Sequence, residues 1–141
     1  MIIIKSVLCS AFGAIGGGIA YFMGGFDECI VTLLIFMVVD YITGLVVAGV
    51  FHKSRKTENG GLESKAGWKG LCRKGVTLLV IGVACQLDRM TGSNFIRDAV
   101  AISFIVNETL SIVENAGLMG IPLPKVIVNA IDVLKRKAGE E

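Results

Sequence analysis

From Cys29 to Phe51 the chain carries a single charged residue, Asp40, in a run dominated by Ile, Val, Leu, Phe and Met. About 20 such residues wound as an α-helix reach across the ~30 Å of hydrocarbon in a bilayer. A short soluble domain has too little interior to hide them. Composition agrees, with 53% apolar and 18% charged residues in 141 and a mean hydropathy of +0.71, against roughly 25% charged residues in an ordinary soluble domain. In lipid every backbone N–H and C=O has to be satisfied within its own segment, so the expected fold class is an all-α integral membrane protein.

The apolar runs predict about four transmembrane helices, at about 7–26, 29–51, 75–90 and 95–119, with three as the alternative count, in a single membrane domain of residues 1–141. Lys5 followed by an apolar run resembles the opening of a cleaved signal peptide. The run before the small residues Ser10, Ala11 and Gly13 is too short for one, and further spans follow. The third segment is short for a span unless Asp88 and Arg89 lie at the far interface and extend toward headgroups. Between the second and third segments, residues 52–74 hold Lys53, Arg55, Lys56, Lys65, Lys69, Arg73 and Lys74 against Glu58 and Glu63. By the positive-inside rule this basic loop is cytoplasmic, with Trp68 as an interfacial anchor beside Lys65 and Lys69. Both termini are then cytoplasmic too. Ile121-Pro122-Leu123-Pro124 interrupts the helical pattern. The tail, 124–141, follows it: Ile127, Ala130, Ile131 and Leu134 recur at helical spacing before Lys135-Arg136-Lys137, which predicts an amphipathic basic helix on an anionic phospholipid leaflet.

Two kinds of residue stand out within the spans. Gly13, Gly16, Gly17, Ala20 and Gly24 in the first, and Gly44 in the second, are small residues of the kind that let helices approach backbone to backbone. Asp40 and Glu108 are carboxyls expected at similar depth, with no Lys or Arg at that depth to pair with them. They therefore call for protonation, hydrogen bonds from neighbours such as Thr43, Asn107 or Gln86, or a wet lumen. On the fourth segment Ser103, Asn107, Ser111 and either Glu114 or Asn115 are three or four apart and form one polar stripe. Glu114 is expected to pair with Arg73 or Lys74. Three readings of the stripe stand at this point: interhelical hydrogen bonds, the wall of a lumen, or a proton relay through Asp40 and Glu108 in a small proton-coupled transporter or channel subunit. A membrane scaffold whose basic loop recruits a cytosolic partner is a further possibility.

Enzyme chemistry finds no foothold. His52 is the single histidine, and Cys9, Cys29, Cys72 and Cys85 form no CxxC pair, so no metal site, cofactor or catalytic residue is expected. Gly60-Gly61 lacks the context of a phosphate-binding loop. A net charge of +2 gives no reason to expect nucleic acid.

Three stretches resemble the phage-lysis and toxin-secretion holins of bacteria, including the clostridial toxin-release type. They are Asp40-Tyr41-Ile42-Thr43-Gly44, the run Ser64-Lys65-Ala66-Gly67-Trp68-Lys69-Gly70-Leu71-Cys72-Arg73-Lys74, and Asn107-Glu108-Thr109-Leu110-Ser111-Ile112-Val113-Glu114-Asn115-Ala116-Gly117 leading into Gly120-Ile121-Pro122-Leu123-Pro124. The resemblance implies a homo-oligomer in the cytoplasmic membrane that opens lesions for an endolysin or a toxin.

Overall fold

The computed structural model describes residues 1–139, as five helices: α1 (Ile2–Met23), α2 (Glu28–Gly49), α3 (Ser64–Thr91), α4 (Ile96–Leu118) and α5 (Lys125–Lys137). The last two residues of the expected tail lie outside the described part. Helices α1, α2 and α3 are long and apolar enough to cross a membrane. Helix α4 is as long as α2 but carries Arg97, Asp98, Glu108 and Glu114, and it is enclosed by α2, α3 and α5. Large apolar side chains point away from the protein, among them Ile35, Val38 and Ile42 on α2 and Val76, Leu79 and Val83 on α3. Such surface costs about 25 cal/mol per Å² in water and nothing of the kind in lipid.

Helices α2, α3 and α4 run alternately up and down, since Lys74 of α3 meets Asp40 of α2 and Glu108 of α4 at one end while Asp88 of α3 meets the start of α4 at the other, so the bundle has two ends. The loop end holds the α2–α3 connection and the hairpin end holds the tight α1–α2 and α3–α4 turns. The turns have identifiable causes. Gly24 closes α1 in the left-handed region at φ 80, and a Cβ there would lie 2.8 Å from the Cys85 Sγ. Gly24 thus terminates the helix and also stands where side chains of α3 and α4 come close, with Arg97 Nε 3.1 Å from the same Cβ position. Asp27 opens α2 by accepting from the Ile30 N–H at 3.1 Å. Helix α4 is capped from a distance: Asp88 on α3 accepts from the backbone N–H groups of Ile96 and Arg97 at 3.0 and 2.9 Å.

The apolar core fills the hairpin half, where Ile30, Leu33 and Met37 of α2 meet Ile81 of α3, Ala101 and Ile105 of α4, and Met23. Helix α1 enters this core only at its last residue, Met23, and its Phe22 ring occupies the space where a Cβ of Gly82 on α3 would sit. Nothing lies within 4 Å of a Cβ built at Gly13, Gly16 or Gly17. Among the described residues no other helix reaches these glycines.

Two boundaries differ from expectation. Residues 64–74, read as loop, form the first turns of α3, a helix of 28 residues and about 42 Å. Its glycines Gly67 and Gly70 accommodate the Tyr41 ring, and this packing extends the helix beyond the apolar run. At the other boundary, α5 is docked on α4 with Ile131 buried and Leu134 packed against the core, while Ile127 and Ala130 stay exposed. The chain reversal at Pro122 and Pro124 brings it there.

Candidate functional site

At the loop half the helices part around a polar cluster. The Lys74 Nζ donates to Asp40 Oδ2 at 2.7 Å and to Glu108 Oε2 at 2.6 Å, tying α3 to α2 and α4 at once. All three side chains are withdrawn from solvent, at 16, 7 and 11% exposed for Lys74, Asp40 and Glu108. This overturns the expectation that no cation reaches the two carboxyls. Because α3 begins at Ser64, Lys74 sits seven residues past Gly67 on a continuing helix and not in a loop. One signal was present in the sequence: Lys74 directly borders the third apolar run, one residue from the expected start of that helix.

Asn115 completes the cluster from α4. Its Nδ2 is within hydrogen-bond reach of Asp40 Oδ1 at 3.2 Å, the Asp40 carbonyl at 3.3 Å and the Thr43 hydroxyl at 2.9 Å. A Cβ at Gly44 would lie 3.8 Å from that nitrogen, an ordinary contact distance, so Asn115 reaches α2 directly beside Gly44. The Thr43 hydroxyl donates back to its own helix, within reach of the carbonyls of Val39 and Asp40. Among the described residues no buried side-chain N or O lacks a partner. With every ionisable member charged, the cluster of two carboxylates and one ammonium sums to −1.

The remaining predicted residues divide. Asp40, Thr43, Glu108 and Asn115 come together, and Ser111 and Asn107 line the same cleft. Ser103 does not reach it; its hydroxyl donates to the Ala99 carbonyl on its own helix. Asn107 is exposed and Gln86 serves Arg89 at the hairpin end, so neither solvates the carboxyls. Glu114 pairs with Arg55 at 3.1 Å, and not with Arg73 or Lys74, because Lys74 is taken up deeper in the bundle. That pair is exposed on both sides and is worth at most about 1 kcal/mol. Lys65, Trp68, Lys69 and Arg73 are all exposed on the first turns of α3.

Between α2, α3 and α4 at this end lies a cleft of about 1090 Å³. Its floor is the Lys74 cluster, and its rim carries Arg55, Lys56, Lys69 and Arg73.

A second cluster, at the hairpin end, was not foreseen. Arg97, buried at the start of α4, donates its Nε to the Met23 carbonyl at 2.8 Å and its terminal nitrogens to the Gly25 carbonyl, both oxygens of Asp27 and Asp98. The guanidinium thereby clamps the α1–α2 turn onto α4. Arg89 donates to the Tyr21 carbonyl and lies 4.2 Å from the centre of the Tyr21 ring, and Asp88 caps α4. These two residues, which the sequence reading placed at the far interface, have partners within the protein at the hairpin end.

The fork from Arg97 holds the Asp27 carboxyl below the usual aspartate range, against a smaller opposing effect of burial. A depressed carboxyl contributes stability that is present above its unfolded value, near pH 4, and is lost as pH falls through the folded value. Thermal unfolding in detergent should therefore be flat from neutral pH to about pH 5 and decline below about pH 4. Asp27→Asn should be less stable at pH 7 and show a shallower acid decline; an unchanged acid profile would remove Asp27 from the account.

A polar cluster inside a bundle of membrane-length helices, with apolar side chains outermost, defines a helical membrane protein. The comparisons narrow the class. The model of the bacteriophage holin family matches residues 17–136. An uncharacterized protein of Listeria innocua is 37% identical over all of this chain and 94% of its own length. One of Clostridium perfringens is 34% identical over 93% of this chain and 94% of its own. A probable holin of Bacillus phage phi105 is 32% identical over 73% of this chain and 71% of its own. No solved structure matches. The chain belongs to the bacteriophage holin family.

Proposed function

We propose that this protein is a holin of the bacterial cytoplasmic membrane that oligomerises and opens lesions through which an endolysin or a toxin leaves the cytoplasm. The observation that carries the reading is the Asp40–Lys74–Glu108–Asn115 cluster on the wall of a large cleft. In one chain these groups satisfy one another at membrane depth. A charged group in hydrocarbon costs several kcal/mol, so the cluster holds the helices together as long as no water is available. When many copies gather, the same polar wall is stable against a shared lumen, and hydration replaces the internal ion pairs. Opening then rises steeply with local concentration, because a lumen exists only once several walls meet.

In the proposed topology the loop end and both termini are cytoplasmic, the hairpin end is external, and the spans follow the helices described. The uncovered small-residue face of α1, Gly13, Gly16 and Gly17, supports contact with another copy. The protein acts without catalysis of its own; the hydrolase or toxin supplies the later step.

Induced expression in a bacterium, with and without a co-expressed cell-wall hydrolase, tests this. Turbidity should collapse abruptly after a delay when the hydrolase is present, and Asn115→Leu should shift that delay. Continued growth in the presence of active hydrolase would refute lesion formation. The sharing of one lysine by two carboxylates also suits a proton-coupled transporter, which instead predicts saturable, substrate-dependent uptake in liposomes and no release of folded protein.

A further inference from the structure

The rim of the cleft holds charge that the protein does not use. Among the described residues Arg55 is paired with Glu114, and Lys74 with Asp40 and Glu108, but Lys56, Lys69 and Arg73 have no carboxylate within 4.0 Å. Lys69 and Arg73 are four apart on α3 and share one face. Glu63 is the one acidic group of the rim left to oppose them. Three cations against one anion make the mouth attractive to a negative ligand. The floor does not share this character, since its lysine is bound by two carboxylates, so an anion is held at the rim and kept out of the interior.

Below the rim the same cleft becomes apolar. Val76, Val80 and Phe104 line it, and Val76 and Val80 are 56 and 40% exposed on the outer surface of the helix, so that side communicates with the bilayer. From Lys69 to Val80 is about 16 Å along α3. A cationic rim continuous with a hydrocarbon wall matches a molecule with a phosphate at one end and an acyl chain at the other. A soluble phosphate would leave the apolar wall without use.

We infer that the cleft is a binding site for an anionic phospholipid, with its phosphodiester at Lys56, Lys69 and Arg73 and an acyl chain along Val76, Val80 and Phe104. Basic pockets between membrane helices are a recognised way of holding anionic headgroups. The inference needs only that the chain sits in a membrane, and stands or falls apart from lesion formation.

The test uses the full chain purified in non-ionic detergent and titrated with phosphatidylglycerol, phosphatidylcholine or inorganic phosphate, with bound lipid counted by native mass spectrometry. One phosphatidylglycerol per chain should be retained at concentrations where phosphatidylcholine is not. K69Q/R73Q should weaken that binding at least tenfold, K69R/R73K should keep it, and Val80→Trp should weaken it without altering charge. The basic tail provides the control: K135Q/K137Q should bind as the parent does. Circular dichroism verifies that each variant keeps its helices, and if K69Q/R73Q does not, the outcomes for Val80→Trp and K69R/R73K decide. Equal retention of both lipids, undiminished binding by a folded K69Q/R73Q, or loss confined to K135Q/K137Q would overturn the site. Displacement of the lipid by inorganic phosphate at equal concentration would overturn the lipid as its occupant.

Discussion

Lys74→Met is expected to cause the largest loss of any single substitution at the loop end. It removes the one cation that Asp40 and Glu108 share and leaves two carboxyls, 7 and 11% exposed, facing each other. Breaking a buried ion pair from one side costs about 3–5 kcal/mol, and here one residue breaks two. The variant should accumulate in membranes at a small fraction of the parent level and unfold at lower temperature in detergent. The cause is separable from simple loss of a lysine, because the triple variant K74M/D40N/E108Q removes all three charges and should recover much of the stability. Asp40→Asn alone leaves a one-to-one pair of Lys74 with Glu108 and should be milder. Equal accumulation of Lys74→Met and the parent would show that the cluster contributes nothing to holding the helices.

Arg97→Met is expected to be the corresponding loss at the hairpin end. The guanidinium is buried, satisfies the Met23 and Gly25 carbonyls and grips Asp27 with both terminal nitrogens. Asp27 is half exposed, so water takes over part of its charge and the cost is set chiefly by the two backbone carbonyls. A loss of roughly 2–6 kcal/mol follows at about 1–3 kcal/mol for each of the two carbonyls left unsatisfied. Arg97→Lys keeps the charge but cannot form the planar fork, so it should recover only a minor part. Protease added to the protein in detergent should cut the α1–α2 turn faster in Arg97→Met than in the parent. Identical cleavage rates in the two would mean the clamp is not what orders that turn.

Both of these residues bear on how much was readable from the chain alone. The apolar runs located all four long helices, and the prolines located the break before α5, because hydropathy and the missing proline donor are local properties. Asp40, Glu108 and Asn115 were recognisable as costly residues, since a polar side chain within an apolar run needs an explanation wherever the run ends up. What answered them was not local. Lys74 looked like the last residue of a basic loop, and only the extension of α3 over the Tyr41 ring carries it to the depth of Asp40. Arg97 drew no reading from the sequence, and its five acceptors come from the α1–α2 turn and from Asp98. The stripe on α4 was drawn by periodicity alone, which grouped Ser103 with Asn107, Ser111 and Asn115; helix rotation against α2 and α3 left Ser103 outside the cleft that the other three line.

Sequence by itself determined that this chain belongs in lipid, that it is helical, and which side chains would be expensive there. These follow from solvation and backbone hydrogen bonding, which each segment satisfies on its own. The tertiary structure decided the partners: which cation meets which carboxyls, which turn Arg97 closes, and where the cleft opens. Those are contacts between residues tens of positions apart, and they depend on the relative rotation and axial offset of packed helices, quantities that no single segment encodes.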